Sequence, residues 1–157
     1  MIHPFEPVFD DSSRILILGS FPSVKSRETM FYYGNPQNRF WKVLSSIFKV
    51  KIPLSKEEKI RLLLENHIAL WDVAASCEVV GSSDSSISKV IPTDLSPIFE
   101  TAEIEKVLCN GKTAFRYYQK VQYPLTGVPA YPLPSSSSAN ARYSLEELTE
   151  IWKSQIL

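Results

Sequence analysis

Two side chains in the sequence, the carboxamide of Asn38 and the carboxylate of Asp72, could hold a water molecule or bind the polar edge of a ligand. The Asn38 oxygen can accept a hydrogen bond from water, and its NH2 group can donate one. Because a carboxamide is not a strong base, any rate that it supplies has to come from positioning and electrostatic stabilisation. The alternatives are structural: Asn38 could cap a helix beginning at Arg39, and Asp72 could be an ordinary turn residue after a strand.

Several familiar catalytic patterns are absent. Residues 111–113, Gly-Lys-Thr, end like a phosphate-binding P-loop, but Lys106 stands where that motif needs glycine. A triad of Ser20, His67 and Asp72 is disfavoured because His67 begins its predicted strand and so lies at the opposite end of the sheet. The two histidines of the chain are too few and too scattered for a metal cluster. We therefore expect neither a metal site nor a cofactor.

Apolar segments that predict strands alternate with helical patterns along the chain. Strands are predicted over residues 14–19, 67–73, 104–110 and 128–133. One face of a helix is predicted by the spacing of Phe40, Trp41, Leu44, Ile47 and Phe48. Ser-x-x-Glu capping boxes at Ser55 and Ser144 open two further helices, a short helix is expected near residues 95–102, and residues 77–88 are expected to form a loop.

This alternation predicts the α/β class, with residues 1–157 forming a single domain. We expect a three-layer α/β/α sandwich with a central, mainly parallel four-stranded sheet. Ligands bind such sheets outside the carboxyl ends of the strands. The segments expected there are residues 19–38, 71–86, 110–113 and 133–142.

The composition is that of an ordinary globular protein, with 157 residues, 44% apolar and 22% charged. We find no secretory pattern and no apolar run near the roughly 20 residues that span a bilayer. Two cysteines without Cys-x-x-Cys spacing fit a reducing compartment, so we expect a cytoplasmic monomer with no membrane association. Residues 20–61 carry nine basic and three acidic side chains, whereas residues 62–105 carry one basic and eight acidic. One face could therefore meet a polyanion, unless these charges only solvate helix surfaces.

Three segments together resemble one known family. The first is the strand over residues 14–19 followed by Ser-Phe-Pro-Ser, and the second is residues 31–42, ending in Asn-Arg-Phe-Trp-Lys. The third is residues 133–142, Leu-Pro followed by four serines and then Ala-Asn-Ala-Arg. Their order and spacing resemble the uracil-DNA glycosylase superfamily. The resemblance is nearest to its hypoxanthine-DNA (deoxyinosine) glycosylase branch, which is related to the mismatch-specific uracil/thymine branch.

The resemblance implies a pocket for a base that has been extruded from the duplex. It places Ser20, Phe21 and Tyr33 in this pocket, with Tyr33 as the aromatic that stacks on the base, and it assigns catalysis to Asn38. Asp72 is a further candidate for the pocket, because it ends the second predicted strand and its carboxylate could read a purine N–H. The serine loop would contact DNA phosphates through Ser135, Ser136, Ser137, Ser138 and Arg142. The plainer alternatives are a core tyrosine, an ordinary polar loop and a solvated cation at the start of a helix.

Two positions depart from the family pattern. Phe21 stands where the best-known branches carry Asp or Asn, so the usual group that orients water is missing. Asn38 is the substitute, because the hypoxanthine branch uses an asparagine in this segment. Leu133 stands where several branches carry the histidine of His-Pro-Ser, which stabilises the base anion.

The resemblance thus implies a monofunctional DNA glycosylase of base-excision repair, an enzyme that hydrolyses the N-glycosidic bond of a deaminated base in double-stranded DNA. Hypoxanthine is the expected base. No lysine in a recognised site segment would form a Schiff base, although Lys25 and Lys112 lie close in sequence. The alternatives are a uracil glycosylase acting on G/U mismatches, a non-catalytic lesion-binding module, and a small-molecule hydrolase of the same architecture.

Overall fold

The fold is known from a computed structural model, which describes residues 6–20, 31–78 and 88–157. The strands are β1 Ile15–Gly19, β2 Ile68–Asp72, β3 Ala74–Glu78, β4 Ser88–Pro92, β5 Lys106–Asn110 and β6 Ala130–Leu133. The helices are α1 Phe40–Phe48, α2 Lys56–Glu65, α3 Ser96–Thr101, α4 Lys112–Tyr117, α5 Tyr123–Thr126 and α6 Leu145–Ile156. A π-helical turn, Tyr118–Gln122, joins α4 to α5.

The central sheet has four strands in the order β2-β1-β5-β6, and every neighbouring pair is parallel. This confirms the four-stranded parallel sheet predicted from the sequence. The register pairs Gly19 with Asp72 and Asn110 with Leu133, so the last residues of neighbouring strands end side by side. The loops that follow these residues therefore meet at one edge of the sheet.

Both faces of the sheet are covered by helices, because the strands carry apolar side chains on both sides. Leu16 and Leu18 of β1 are buried in a core that includes residues of α3 and α4. Ile17, which points to the opposite face, belongs to a second core formed with α1, α2 and α6. The protein is thus the three-layer α/β/α sandwich expected from the alternation of strands and helices.

The helix starts follow the sequence signals closely. Both predicted capping boxes are present, at Ser55 with Glu58 and at Ser144 with Glu147. Helix α1 begins at Phe40, one residue later than expected, and buries its apolar stripe in the core. Among the helices of the described residues, none is long and apolar enough to span a membrane.

The expectation of a loop over residues 77–88 was wrong at both of its ends. Strands β3 and β4 form a separate antiparallel pair in which Ala74 lies opposite Pro92 and Glu78 opposite Ser88. Shifts in register interrupt this pairing, so the strict alternation of polar and apolar residues that indicates a strand is lost. Residues 79–87 lie outside the described part of the chain.

Candidate active site

The carboxyl end of the sheet brings Asp72 and Tyr33 together above Gly19. A Cβ atom built on Gly19 would overlap Oδ1 of Asp72 and would lie 2.7 Å from Oη of Tyr33. Asp72 is only 3% exposed although it ends its strand. Glycine is therefore needed here by close approach, since any side chain would force at least one of these polar groups to shift.

Tyr33 takes its place through an unusual backbone conformation. Its φ angle is 55°, in the left-handed region that tyrosine rarely adopts. One face of its ring is stacked on Phe40, with centroids 4.1 Å apart and an interplanar angle of 20°. Phe40 in turn is fully buried and contacts the Trp152 ring edge-to-face. The half-buried Tyr33 thus packs against the core, and its hydroxyl lies beside Asp72 at the carboxyl edge of the sheet.

Tyr32, the neighbour of Tyr33, is held as a neutral phenol. Burial raises the pKa of Tyr32 far above its ordinary value, and the nearby carboxylate of Asp72 adds to the shift. Its hydroxyl donates a hydrogen bond of 2.8 Å to the carbonyl of Glu6. The backbone carbonyl of Tyr32 accepts a hydrogen bond from the indole of Trp41, which ties this segment to α1.

The amide oxygen of Asn38 accepts hydrogen bonds from other groups of the protein. Oδ1 accepts hydrogen bonds from the backbone N–H of Phe40, at 2.9 Å, and from the hydroxyl of Ser136, at 2.8 Å. These two bonds occupy both lone pairs of the oxygen, so it has no place left for the water that the sequence analysis assigned to it. The Nδ2 group makes no hydrogen bond within residues 6–20, 31–78 and 88–157. Asn38 therefore lies one residue before Arg39, the N-cap of α1, and its oxygen links the start of this helix to the serine loop.

Ser136 and Asn110 form a buried pair behind Asn38. The Asn110 side chain donates to the Ser136 hydroxyl and accepts from the Ser136 backbone N–H, both at 2.9 Å. Ser136 is fully buried, so its hydroxyl is not available for the phosphate contact expected from the sequence. The sequence had predicted Asn110 only as the last residue of a strand. The signal that it missed is a polar side chain at the end of an otherwise apolar, buried strand.

Arg39, which the sequence analysis did not single out, holds the serine loop in shape. Its guanidinium donates to the backbone carbonyls of Ser136, Ser137, Asn140 and Tyr143, over distances of 2.7 to 3.4 Å. Its own backbone N–H also donates to the carbonyl of Ser136, at 2.9 Å. The rigid fork of an arginine suits this task, because its five N–H groups can reach several acceptors at once. The loop is therefore built around a cation.

Among the outer residues of the serine loop, some side chains make hydrogen bonds within the protein and others are exposed to solvent. Hydroxyl oxygens of Ser135 and Ser137 accept hydrogen bonds from backbone N–H groups two residues further along the loop. Ser138 is exposed. Arg142 is exposed as well, with its guanidinium 5.8 Å from the centre of the Tyr143 ring.

Ser20 and Phe21 complete the set of predicted pocket residues. Ser20 is 8% exposed and follows β1 directly, and its carbonyl accepts a hydrogen bond from the backbone N–H of Ala74. It therefore lies at the same edge of the sheet as Asp72. Phe21, the position at which the chain departs from the family pattern, lies outside the described residues.

Comparison with known proteins identifies the family. A protein of Methanosarcina acetivorans named hypoxanthine DNA glycosylase is 36% identical over 148 residues, which cover 93% of this chain and 92% of that protein. A protein of Methanosarcina barkeri with the same name is 34% identical over 150 residues, covering 94% and 93%. A solution NMR structure from M. acetivorans, provisionally named a uracil DNA glycosylase, superposes with a TM-score of 0.83 at 34% identity and covers 99% of this chain and 97% of its own. The profile described as Uracil DNA glycosylase superfamily matches residues 6–154, and the chain belongs to this superfamily.

Proposed function

We propose that this DNA glycosylase removes hypoxanthine from double-stranded DNA by hydrolysis of the N-glycosidic bond of deoxyinosine. The observation that carries the proposal is the buried carboxylate of Asp72, which lies with the Tyr33 hydroxyl above Gly19 at the carboxyl edge of the sheet. The names of the two curated relatives, 36% and 34% identical, support the same base.

A carboxylate at this place can distinguish a deaminated base from its parent. Deamination of adenine replaces the 6-amino group by an oxygen and puts a proton on N1, so hypoxanthine presents an N–H donor where adenine presents a lone pair. An ionised carboxylate only accepts hydrogen bonds, and it would therefore bind hypoxanthine and repel adenine. Uracil differs from cytosine in the same way at N3. This chemistry keeps uracil as the second candidate substrate.

The aromatic wall of the proposed pocket is Tyr33. A flipped base needs a flat apolar surface to replace the stacking that it loses on leaving the duplex. The Tyr33 ring is supported from behind by Phe40, so it is rigid enough to serve as such a surface. Ser20 and Phe21 are proposed to complete the walls.

Hydrolysis would proceed without a general base of conventional strength. Water adds to C1′ of the sugar while the bond from C1′ to N9 breaks and its electron pair leaves with the base. One water proton ends on the departing base, directly or through solvent. We assign to the NH2 group of Asn38 a donated hydrogen bond to an acceptor at the reacting bond, either the water oxygen or the base. The rate acceleration then comes from a hydrogen-bond donor that the protein holds in position before the reaction begins.

The serine loop and Arg142 are proposed to hold the DNA backbone. Arg39 adds a positive charge inside this loop, and in the described residues it binds carbonyl groups rather than a carboxylate. Phosphate contacts through such cations make affinity fall steeply with salt concentration. A small-molecule hydrolase of the same fold would show no salt-dependent affinity for DNA.

An excision assay tests the proposal. Duplexes carrying one inosine or one uracil are incubated with the protein and then treated with alkali, which breaks the strand at abasic sites. We expect faster cleavage at inosine, a loss of about 100-fold or more in Asn38→Ala, and full activity in the control Asn66→Ala, whose amide binds the carbonyl of Leu62 before the amino end of β2, opposite the carboxyl end that carries Asp72.

Three results would change the assignment. Faster cleavage at uracil would make uracil the principal substrate. Preferential binding of lesion DNA without any strand break would favour the non-catalytic module. Activity that survives Asn38→Ala unchanged would remove Asn38 from catalysis while leaving the glycosylase intact.

A further inference from the structure

A chain of three hydrogen bonds leads from Asn110 through Ser136 to Asn38, and its direction is fixed by the backbone. At one end, the N–H of Ser136 can only donate, so the atom of Asn110 that it meets must be the oxygen. At the other end, the N–H of Phe40 can only donate, so the Asn38 atom that it meets must also be the oxygen. A 180° flip of either amide would place its NH2 group opposite a backbone N–H, so that two donors would face each other.

The hydroxyl of Ser136 is oriented by this arrangement. Because Asn110 presents Nδ2 to the hydroxyl oxygen, the oxygen accepts there, and its single proton has to point elsewhere. The acceptor within reach is Oδ1 of Asn38, at 2.8 Å. The Ser136 hydroxyl thus transmits the orientation of one asparagine to the other.

We infer that Asn110 is a positioning residue for excision, which acts through the Ser136 hydroxyl to keep the Asn38 NH2 group aimed at the reacting bond. The inference rests on the proposed role of Asn38. Asn110 is 7% exposed and Ser136 fully buried, so the pair is shielded from the water that would compete for these bonds. Asn38 itself is only partly buried, and without the second bond its amide would be held by the backbone of Phe40 alone.

Two variants separate orientation of Asn38 from simple support of the serine loop. Ser136→Ala removes the hydroxyl and keeps the backbone N–H that binds Asn110. Asn110→Asp keeps an acceptor for that N–H but, when ionised, has no hydrogen to donate to the hydroxyl. In both variants the loop keeps its anchor on Arg39, which binds four of its carbonyls. Ser45→Ala, which removes a buried serine of α1 bonded to the carbonyl of Lys42, is the matched control.

The first measurement is a single-turnover excision rate at saturating inosine-containing duplex, together with the dissociation constant for that duplex. We expect both variants to lose about 10- to 100-fold in rate. The dissociation constant should stay within about twofold, because phosphate contacts are untouched. In an Asn38→Ala background, Ser136→Ala should lower the remaining rate little further, since there is no amide left to orient. An unchanged rate in both variants, or a loss confined to DNA affinity, would overturn the inference.

The second measurement does not depend on excision. The side-chain NH2 signals of Asn38 can be identified in a ¹⁵N correlation spectrum by their absence in Asn38→Ala. Asn110→Asp and Ser136→Ala should shift these signals, whereas Ser45→Ala should leave them in place. If the wild-type protein removed neither base, the proposed function would fail, while a shift would still establish the coupling between Asn110 and Asn38. Signals that do not move would refute the coupling whatever the enzyme excises.

Discussion

Tyr33 and Gly19 show how much a single position can depend on its neighbours. Tyr33 has a left-handed φ of 55°, a conformation that costs a non-glycine residue about 1 kcal/mol or more. This strained backbone conformation places the Tyr33 ring against Phe40 and its hydroxyl close to Gly19. Strained residues of this kind concentrate at functional sites, which agrees with a pocket at this edge of the sheet.

Replacing Gly19 by alanine should damage the site more than the fold. The added methyl group would collide with Asp72 and Tyr33, and one of them would have to leave its place. We expect Gly19→Ala to lose at least about tenfold in inosine excision. Gly127→Ala is the control: its φ of 70° makes it lose about 1 kcal/mol of stability, but its Cβ meets nothing. Excision rates and urea unfolding of both variants test this, and a Gly19→Ala enzyme as active as Gly127→Ala would contradict it.

The shape of the serine loop is fixed largely by hydrogen bonds from side chains to its backbone carbonyls. Besides the arginine clamp, the indole of Trp152 donates to the carbonyl of Pro134, and the amide of Asn140 donates to the carbonyl of Ser135. With its carbonyls held by these donors, the loop has a defined shape without being a helix or a strand. A fixed loop can meet a fixed phosphate spacing without losing entropy on binding.

Arg39→Lys should loosen this loop although it keeps the charge. An ammonium group cannot span four carbonyls, so we expect a loss of about 2–4 kcal/mol in the free energy of unfolding. Hydrogen exchange of residues 135–143 should accelerate in the same variant. Arg142→Lys, at an exposed arginine of the same loop, should leave stability unchanged. Equal stability and equal protection in the two variants would show that the clamp is not needed.

The capping box of α6 should give the protein part of its sensitivity to acid. Hydrogen bonds from the backbone and hydroxyl of Ser144 hold the pKa of Glu147 below its usual value. A carboxyl with a lowered folded-state pKa stabilises the fold above its unfolded pKa of about 4.3, and this contribution is lost as pH falls through the folded value. Glu147→Gln should therefore show a smaller drop in Tm between pH 6 and pH 3 than wild type. Glu150→Gln on the same helix should keep the wild-type drop, and an equal drop in all three proteins would contradict the prediction.

Because a core packs against each face of the sheet, we expect the central strands to be the last part of the molecule to open. Cys109 of β5 is fully buried in one of these cores. Burial raises the pKa of its thiol to about 12, so at pH 8 it is almost entirely in the unreactive neutral form. Access to this thiol therefore requires the sheet to separate from its helices.

Alkylation of Cys109 should accordingly report global unfolding. In a Cys77→Ser variant, iodoacetamide at pH 8 should modify Cys109 at the rate of complete unfolding and at once in concentrated urea. Because the folded pKa is raised, this thiol contributes stability below about pH 8.5 that declines as pH rises toward 12. Mass spectrometry of the labelled protein checks the rate. Labelling in native buffer as fast as in urea would show that β5 opens locally.

Local patterns in the sequence were sufficient to predict the strands of the central sheet, the starts of two helices and the three-layer arrangement. Apolar segments gave the four sheet strands to within two residues, and the Ser-x-x-Glu spacing gave the starts of α2 and α6, because these signals act between residues close in the chain. The rule for parallel sheets indicated the segments that meet at the sheet edge, and the family resemblance assigned functions to residues within them. The tertiary structure alone decided how Asn38 is used, since its oxygen partner Ser136 is 98 residues away. It also decided the roles of Asn110 and Arg39, because hydrogen bonds between distant segments leave no periodic trace in sequence.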